Sequence, residues 1–235
     1  MLLNLLSNFL KNKMVGAFRD SEIFIEKEID RFPKNNLKIL DLGCMEGVVI
    51  DKILRNSKKK YKLYGIDLIN KKLVDKRIIY TKKNFENKNL PYASNSFDII
   101  VCNQVIEHII HKDKLIEECQ RILKKGGICY MATENIASLD NIISLLFGQD
   151  PLTQSTSVKR YTGSFLSPHY MEKMLKFPND YHMGHKNVCS YYGILRLFQI
   201  NGFKNPQIRS FGHITRLFEW LFPFQNRIIV VIARK

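Results

Sequence analysis

An alternation of short apolar runs with helix-like segments is the feature that most constrains the fold. The first run, Lys38–Leu42 (KILDL), contains an acid near its end, leads into a glycine-containing turn and precedes a helical pattern over residues 48–54. Comparable runs follow at Tyr61–Ile66, Arg77–Tyr80, Phe97–Cys102 and Gly127–Thr133. Strands that alternate with helices predict an α/β fold with a doubly wound, mostly parallel sheet, whose ligand lies at the carboxyl ends of the strands.

Later segments complete this pattern. Asp113–Leu123 has its apolar residues on one helical face, with Asp113 as the predicted N-cap and Gly126-Gly127 as the predicted stop. Three further elements are predicted, namely a helix at Tyr191–Phe198 and strands at Gln207–Phe211 and Ile228–Ala233. The complete expectation is a Rossmann-like seven-stranded sheet with an antiparallel C-terminal edge strand.

The domain organisation is predicted from where the alternation begins and pauses. Residues 1–36 are expected to form an N-terminal helical segment, and residues 37–235 the main domain. Within that domain, residues 134–186 contain a short apolar helix candidate, Ile142–Phe147, followed by polar loops with prolines and aromatics. A connection this long is usually a lid or a binding element. We therefore expect a lid insertion after strand five that closes over an acceptor.

Composition sets the class of partner and the compartment. The 235 residues include 37 Lys and Arg against 22 Asp and Glu, a formal net charge of +15 that favours acidic partners, although a Lys-, Asn- and Ile-rich composition also produces it. The five cysteines are scattered without C-x-x-C spacing, which favours a reducing, cytoplasmic setting over disulfides or a zinc knuckle. No run is long enough to span a bilayer, while Leu2–Leu10 and Leu217–Phe224 leave peripheral contact with the inner membrane face open.

The turn after the first run carries the ligand-binding signal. In ILDLGCMEG, Asp41, Gly43 and Gly47 allow a tight turn and close approach of a ligand to the backbone. The dinucleotide fingerprint and the P-loop ending are both missing, so a pyrophosphate is poorly provided for. Asp67 ends the second run, where a carboxylate can accept hydrogen bonds from both ribose hydroxyls. These features favour an adenosine ligand that carries positive charge rather than phosphates.

With these residues in place, the sequence resembles the class I S-adenosylmethionine-dependent methyltransferases. The turn is similar to their D-x-G-x-G-x-G motif, and the matching blocks are LPYASNSFDIIV (Leu90–Val101), VIEH (Val105–His108) and RILKKGGICY (Arg121–Tyr130). The resemblance implies S-adenosyl-L-methionine as cofactor, bound by Asp41, Gly43, Cys44, Gly47, Asp67, Leu68, Asn84, Phe85 and Asn103. Thr133–Pro151 is similar to a type 11 subgroup associated with small-molecule, glycan or lipid-intermediate methylation.

Two residues depart from the family pattern. Met45 replaces the middle glycine of the turn and adds a side chain beside the expected methionine moiety. Asn84 stands where many relatives have an aspartate that contacts the adenine amino group, and its amide oxygen can still accept that bond.

Two histidines are the candidate catalytic bases. Methyl transfer from a sulfonium requires alignment and, for a hydroxyl acceptor, removal of a proton. His108 follows the fourth strand and His185 ends the lid region. The alternatives are that His108 caps its helix and that His185 anchors the lid.

No metal is predicted. Glu107-His108 resembles part of the E-x-x-E-H pattern of ubiquinone-pathway O-methyltransferases, but Gln104 replaces the first acid. His182, His185 and Cys189 have no standard zinc spacing.

The predicted function is O-methylation of a small molecule or a glycan- or lipid-linked intermediate. Asn103 is followed by Gln104 instead of two prolines, which argues against methylation of a planar nitrogen. The alternatives are an RNA methyltransferase and a non-catalytic binding module with the same fold. A nucleic-acid partner is not favoured because the basic residues are dispersed. The oligomeric state is left open.

Overall fold

The computed structural model describes residues 2–69, 72–154, 164, 185–212 and 221–235, with the backbone alone for residues 2–11, 13 and 14. The strands are β1 Leu37–Leu42, β2 Tyr61–Asp67, β3 Ile79–Lys82, β4 Phe97–Asn103, β5 Leu123–Glu134, β6 Gln207–Phe211 and β7 Ile228–Arg234. The helices are α1 Leu2–Arg31, α2 Val48–Leu54, α3 Lys112–Ile122, α4 Leu139–Leu146 and α5 Tyr191–Ile200, with short 3-10 turns at Ile106–His108 and Pro223–Gln225.

One seven-stranded sheet organises the described residues. Its order is β3-β2-β1-β4-β5-β7-β6, in which β1 to β5 pair in parallel and β7 pairs antiparallel with both β5 and β6. This confirms the predicted fold class, and β7 lies between β5 and β6 so that β6 is the edge strand. Most of the predicted lid, residues 155–163 and 165–184, lies outside the described residues.

The core occupies both faces of the sheet because adjacent strand residues point to opposite sides. Ile39 packs with the buried residues of α1 and α2, including Ile25 and Ile53. Leu40, its neighbour in β1, packs on the other face with the buried residues of α3 and α5. The helical segment before residue 37 is thus packed on the same sheet. No helix within the described ranges is long and apolar enough to cross a bilayer.

The structure corrects both predicted ends of helix α3. Helix α3 starts at Lys112 with His111 at the N-cap position, so Asp113 is not the N-cap; its carboxylate instead accepts a hydrogen bond from Asn201 Nδ2 at 2.8 Å. The helix ends at Ile122, before the two glycines, because Leu123 already has extended geometry and begins β5.

The remaining two corrections concern the third strand and the VIEH segment. Strand β3 begins two residues late because Asp75 Oδ1 accepts a hydrogen bond from Arg77 N and forms a local turn. Residues 106–108 form a single 3-10 turn, not the longer helix that the resemblance implies.

Candidate active site

The turn after β1 folds back onto the end of β2. Gly43 N and Cys44 N donate hydrogen bonds to Ile66 O at 2.8 and 3.2 Å. Met45 N donates to Asp67 Oδ2 at 2.8 Å. The turn therefore holds the second-strand carboxylate directly beside the backbone that follows the first strand.

Two glycines of this turn are required by space as well as by backbone angle. Gly43 and Gly47 have φ of 75° and 80°, in the left-handed region. A Cβ on Gly43 would collide with the Val105 side chain, and one on Gly47 would lie 2.5 Å from Ile78 Cδ1. The contact with Val105 brings the turn against the segment that follows β4.

Asp41 and Asp67 provide negative charge beneath the turn. Both are buried, and burial together with the charge of Asp67 raises the pKa of Asp41 to about 7. Asp67 Oδ1 accepts a hydrogen bond from Ile69 N at 3.0 Å in addition to the bond from Met45 N. A carboxylate oxygen has a second lone pair, so Asp67 retains acceptor capacity for hydroxyl groups.

The other predicted cofactor residues surround this pair. Cys44 is buried, and burial raises the pKa of its thiol further above the usual range. Leu68 is 57% exposed beside Asp67. Asn84 Oδ1 already accepts a hydrogen bond from Glu86 N at 2.9 Å, and Phe85 is part of the core. The Asn84 amide oxygen therefore stabilises its own loop, and only its remaining lone pair could accept the bond expected from an adenine amino group.

A second cluster lies beyond the end of β4. Glu107 is fully buried, and its Oε2 accepts a hydrogen bond from Thr133 Oγ1 at 2.9 Å. The rings of His108 and His185 are 4.9 Å apart, at 67° to one another. One donor atom from each of Glu107, His108 and His185 lies within 4.8 Å of the others. The structure thus brings both predicted catalytic histidines together around a carboxylate.

His185 is held from its other side. Its Nδ1 lies 2.5 Å from Thr153 O and 3.1 Å from Glu134 Oε2. Burial favours the neutral ring, but the carboxylates of Glu134 and Glu107 and the Thr153 carbonyl outweigh it and raise the pKa of His185 to about 9. Burial raises the pKa of Glu107 to about 7, against the opposing charge of His185.

Glu134 was not predicted as a site residue. It ends β5 as Asp67 ends β2, so an acid at the carboxyl end of an apolar run was the available signal. Four buried polar atoms near this edge have no hydrogen-bond partner among the described residues, namely Asn103 Oδ1, Gln104 Nε2, Glu107 Oε1 and Glu134 Oε2, although the last lies 3.1 Å from His185 Nδ1 as an ion pair. Buried polar groups normally have partners, so these atoms are available to a polar ligand.

Several residues of the predicted lid cannot be placed in this site. Arg160, Tyr161, His169 and Tyr170, which the sequence predicts to close over the acceptor, lie outside the described residues. Their role stays a prediction from the sequence.

The chain matches the family model of a methyltransferase domain over residues 33–173, more than half of its length. It is 26% identical over 159 residues to the mitochondrial ubiquinone biosynthesis O-methyltransferase of Mus musculus, covering 63% of this chain and 42% of that protein. It is 32% identical over 110 residues to the ubiquinone biosynthesis O-methyltransferase of Pelagibacter ubique (strain HTCC1062), covering 44% of each. The chain thus spans less than half the length of these two relatives.

Solved structures with the same fold cover more of the chain. A SAM dependent methyltransferase from Archaeoglobus fulgidus has a TM-score of 0.62 at 13% identity, covering 97% of this chain and 98% of that one. Phosphoethanolamine N-methyltransferase 2 of Haemonchus contortus, solved in complex with S-adenosyl-L-methionine, has a TM-score of 0.56 at 16% identity. That match covers 92% of this chain and 52% of the other. At these identities the likeness concerns the fold.

Proposed function

The chain belongs to the class I S-adenosylmethionine-dependent methyltransferases, and on that premise we propose that it methylates a hydroxyl group of a small molecule with S-adenosylmethionine as donor. The observation that carries this proposal is the closeness of two sites on one sheet edge. Val105 contacts Gly43 of the donor-binding turn and precedes the cluster of Glu107 and His108 in the same short segment.

The donor side of the site is suited to a cationic adenosine compound. Asp67 is proposed to accept hydrogen bonds from the ribose hydroxyls, and the carboxyl groups of Asp41 and Asp67 to favour the positively charged sulfonium. The donor supplies an already activated methyl group, so the protein mainly aligns the reactants.

The acceptor side is proposed to hold and deprotonate the hydroxyl. His108 and His185 are the candidate proton acceptors, and Asn103 Oδ1 can accept a hydrogen bond from the bound molecule. The names of the curated relatives support a small-molecule acceptor and transfer to oxygen. A glycan- or lipid-linked acceptor stays a narrower hypothesis within this proposal.

Titration calorimetry with S-adenosylmethionine and S-adenosylhomocysteine tests the donor site. We expect micromolar binding that falls about tenfold or more in Asp67→Asn, since hydrogen bonds to a charged group contribute about 1.5–3 kcal/mol. Asp51→Asn, which changes an acid that pairs with Arg55 on the surface of α2, is the matched control and should bind like the wild type.

Circular dichroism of each variant separates loss of binding from loss of fold. Transfer of labelled methyl groups to a panel of phenols, catechols and alcohols then tests the acceptor class. Folded wild-type protein that binds neither S-adenosylmethionine nor S-adenosylhomocysteine would contradict the proposal. Methylation of amines in preference to hydroxyls would show that the acceptor atom is nitrogen.

A further inference from the structure

The cluster of Glu107, His108 and His185 has the composition and the spacing of a metal-binding site. Each residue offers one donor atom, and the three atoms lie within 4.8 Å of one another. We propose that these residues bind one divalent first-row transition metal ion, with His185 supplying the ligand that Gln104 cannot. The proposal extends beyond the methyltransferase activity, and metal binding does not depend on that activity. A histidine nitrogen that binds the ion cannot also accept a proton, so with the ion bound the two histidines would act as ligands and not as bases.

The donor spacing is close to what an ion requires. With metal bonds of about 2.0–2.2 Å, the ligands of one ion lie about 3–4 Å apart. Binding one ion therefore requires the donor atoms, now within 4.8 Å of one another, to approach by up to about 1–2 Å. The two imidazole rings, whose centroids lie 4.9 Å apart, would have to rotate to do so.

Outer hydrogen bonds already orient two of the three ligands. Thr133 Oγ1 donates to Glu107 Oε2, so Oε1 is the oxygen left for an ion, and it has no hydrogen-bond partner among the described residues. His185 Nδ1 is occupied by Thr153 O and the Glu134 carboxylate, which leaves Nε2 as its metal-binding nitrogen. Metal-ligating histidines characteristically have such a partner on the other ring nitrogen.

The Glu107 oxygen without a hydrogen-bond partner among the described residues is the second, independent observation that points to a ligand. Glu107 has no exposed surface, and a buried carboxylate oxygen without a partner is costly in free energy. A cation at the cluster would satisfy this oxygen and neutralise its charge. His185, with 22% of its side chain exposed, gives the position a route to solvent.

The chemistry of the three ligand atoms determines which metal ion fits. Two imidazoles and one carboxylate suit Zn²⁺, Fe²⁺ or Co²⁺, whereas Mg²⁺ prefers an all-oxygen octahedral shell. Three protein ligands leave a coordination position open, at which a bound ion would supply Lewis acidity to an acceptor oxygen.

Neither sequence pattern contains this set. Gln104 interrupts one candidate motif, and the spacing of His182, His185 and Cys189 matches no other. The site exists because Lys186 N and Asn187 N both donate to Glu107 O, which anchors the chain beside His185 against the turn after β4.

Metal binding by the full chain, without any methyl donor, tests the inference. Protein stripped with chelator is dialysed against Zn²⁺, Co²⁺ or Mg²⁺ separately, and the retained metal is measured by elemental analysis. We expect one equivalent of Zn²⁺ or Co²⁺, a visible absorption band for the Co²⁺ form, and no displacement by excess Mg²⁺. His185→Gln and Glu107→Gln should each weaken Zn²⁺ affinity at least tenfold.

His111→Gln is the matched control because His111 pairs with Glu86 outside the cluster, and it should leave affinity unchanged. Circular dichroism of the metal-free variants shows whether each has folded, and His185→Gln tests the site if Glu107→Gln does not fold. Failure of folded wild-type protein to retain metal, or equal retention by His185→Gln, would overturn the inference. Donor calorimetry is a separate measurement, so either proposal can fail while the other stands.

Discussion

Met45 has a backbone conformation that glycine adopts at lower cost. Its φ is 45°, and methionine lacks the short polar side chain that lets asparagine or aspartate tolerate the left-handed region. The bond from Met45 N to Asp67 Oδ2 holds it there, and its side chain is 37% exposed, so packing contributes little. Methionine at this position is therefore expected to cost stability relative to the family's glycine, while its half-exposed side chain does not fill the interior of the turn.

We predict that Met45→Gly raises the free energy of unfolding by about 1 kcal/mol, because relief of the left-handed strain exceeds the added entropy of the unfolded chain. Urea unfolding measures the change. The matched control is Asn205→Gly, at φ 50° on the surface, which should gain less because asparagine tolerates this conformation. A loss of stability in Met45→Gly, or a gain no larger than that of the control, would contradict the argument.

At the scale of elements, Asp98 of β4 joins β1, β5 and the segment between α1 and β1 at the amino edge of the sheet. This buried carboxylate accepts hydrogen bonds from Lys34 Nζ at 2.9 Å, Lys38 N at 2.8 Å and Lys124 Nζ at 2.8 Å. Burial alone would raise the pKa of Asp98, but the two lysines and the Lys38 amide outweigh burial and lower it. Because the folded-state pKa is depressed, the ionised carboxylate stabilises the fold above its unfolded pKa.

We predict that Asp98→Asn lowers the free energy of unfolding at pH 7 by about 2 kcal/mol, since bonds to a buried charge are lost while both lysines stay partly solvated. The difference from wild type should shrink as pH falls below about 4 and through the folded pKa, because wild-type Asp98 is then protonated too. Urea titrations at pH 7 and pH 3 measure this. The control Asp51→Asn on α2 should lower the free energy of unfolding by less than about 0.5 kcal/mol at either pH. If the loss of stability in Asp98→Asn is the same at both pH values, the charge of Asp98 is not its cause.

The elements themselves were largely predictable. Apolar runs such as Lys38–Leu42 and Phe97–Cys102 indicate strands because both faces of the sheet are covered. Such a strand is recognised as a short, nearly continuous apolar run bounded by turn residues. The boundaries of α3 were less predictable. Asp113 has the chemistry of an N-cap, but a tertiary bond to Asn201 engages its side chain, and that contact spans distant parts of the chain.

At the scale of the molecule, the proposed donor side of the site was predictable from the sequence and the proposed acceptor side was not. Asp41 lies one residue before the end of β1 and Asp67 ends the neighbouring parallel strand β2, so topology brings them together wherever such a sheet forms. The contact between Glu107 and His185 depends on the path of the chain after β5, and no local sequence pattern predicts that path. The histidines were identified as separate candidates, and only their arrangement reveals a shared site.

The basic residues behind the net charge of +15 are dispersed along the sequence. Within the described residues, several of its cations have internal partners: Arg77 lies 2.8 Å from Asp75, Arg121 2.7 Å from Glu118 and Arg227 2.5 Å from Asp140. Lys34 and Lys124 both form ion pairs with Asp98. Paired cations contribute less to an external field, so the charge favours general attraction of polyanions over a shaped nucleic-acid site.

We therefore predict weak, non-specific RNA binding, with a Kd of about 1–100 μM at physiological salt and a steep loss of affinity as salt rises. Fluorescence anisotropy with a short single-stranded RNA, titrated at several salt concentrations, measures both quantities. DNA of the same length is the control and should bind with similar affinity, because phosphate attraction does not distinguish the two. Nanomolar affinity for RNA at physiological salt, with weak binding of the DNA, would contradict this prediction and make RNA the favoured methyl acceptor.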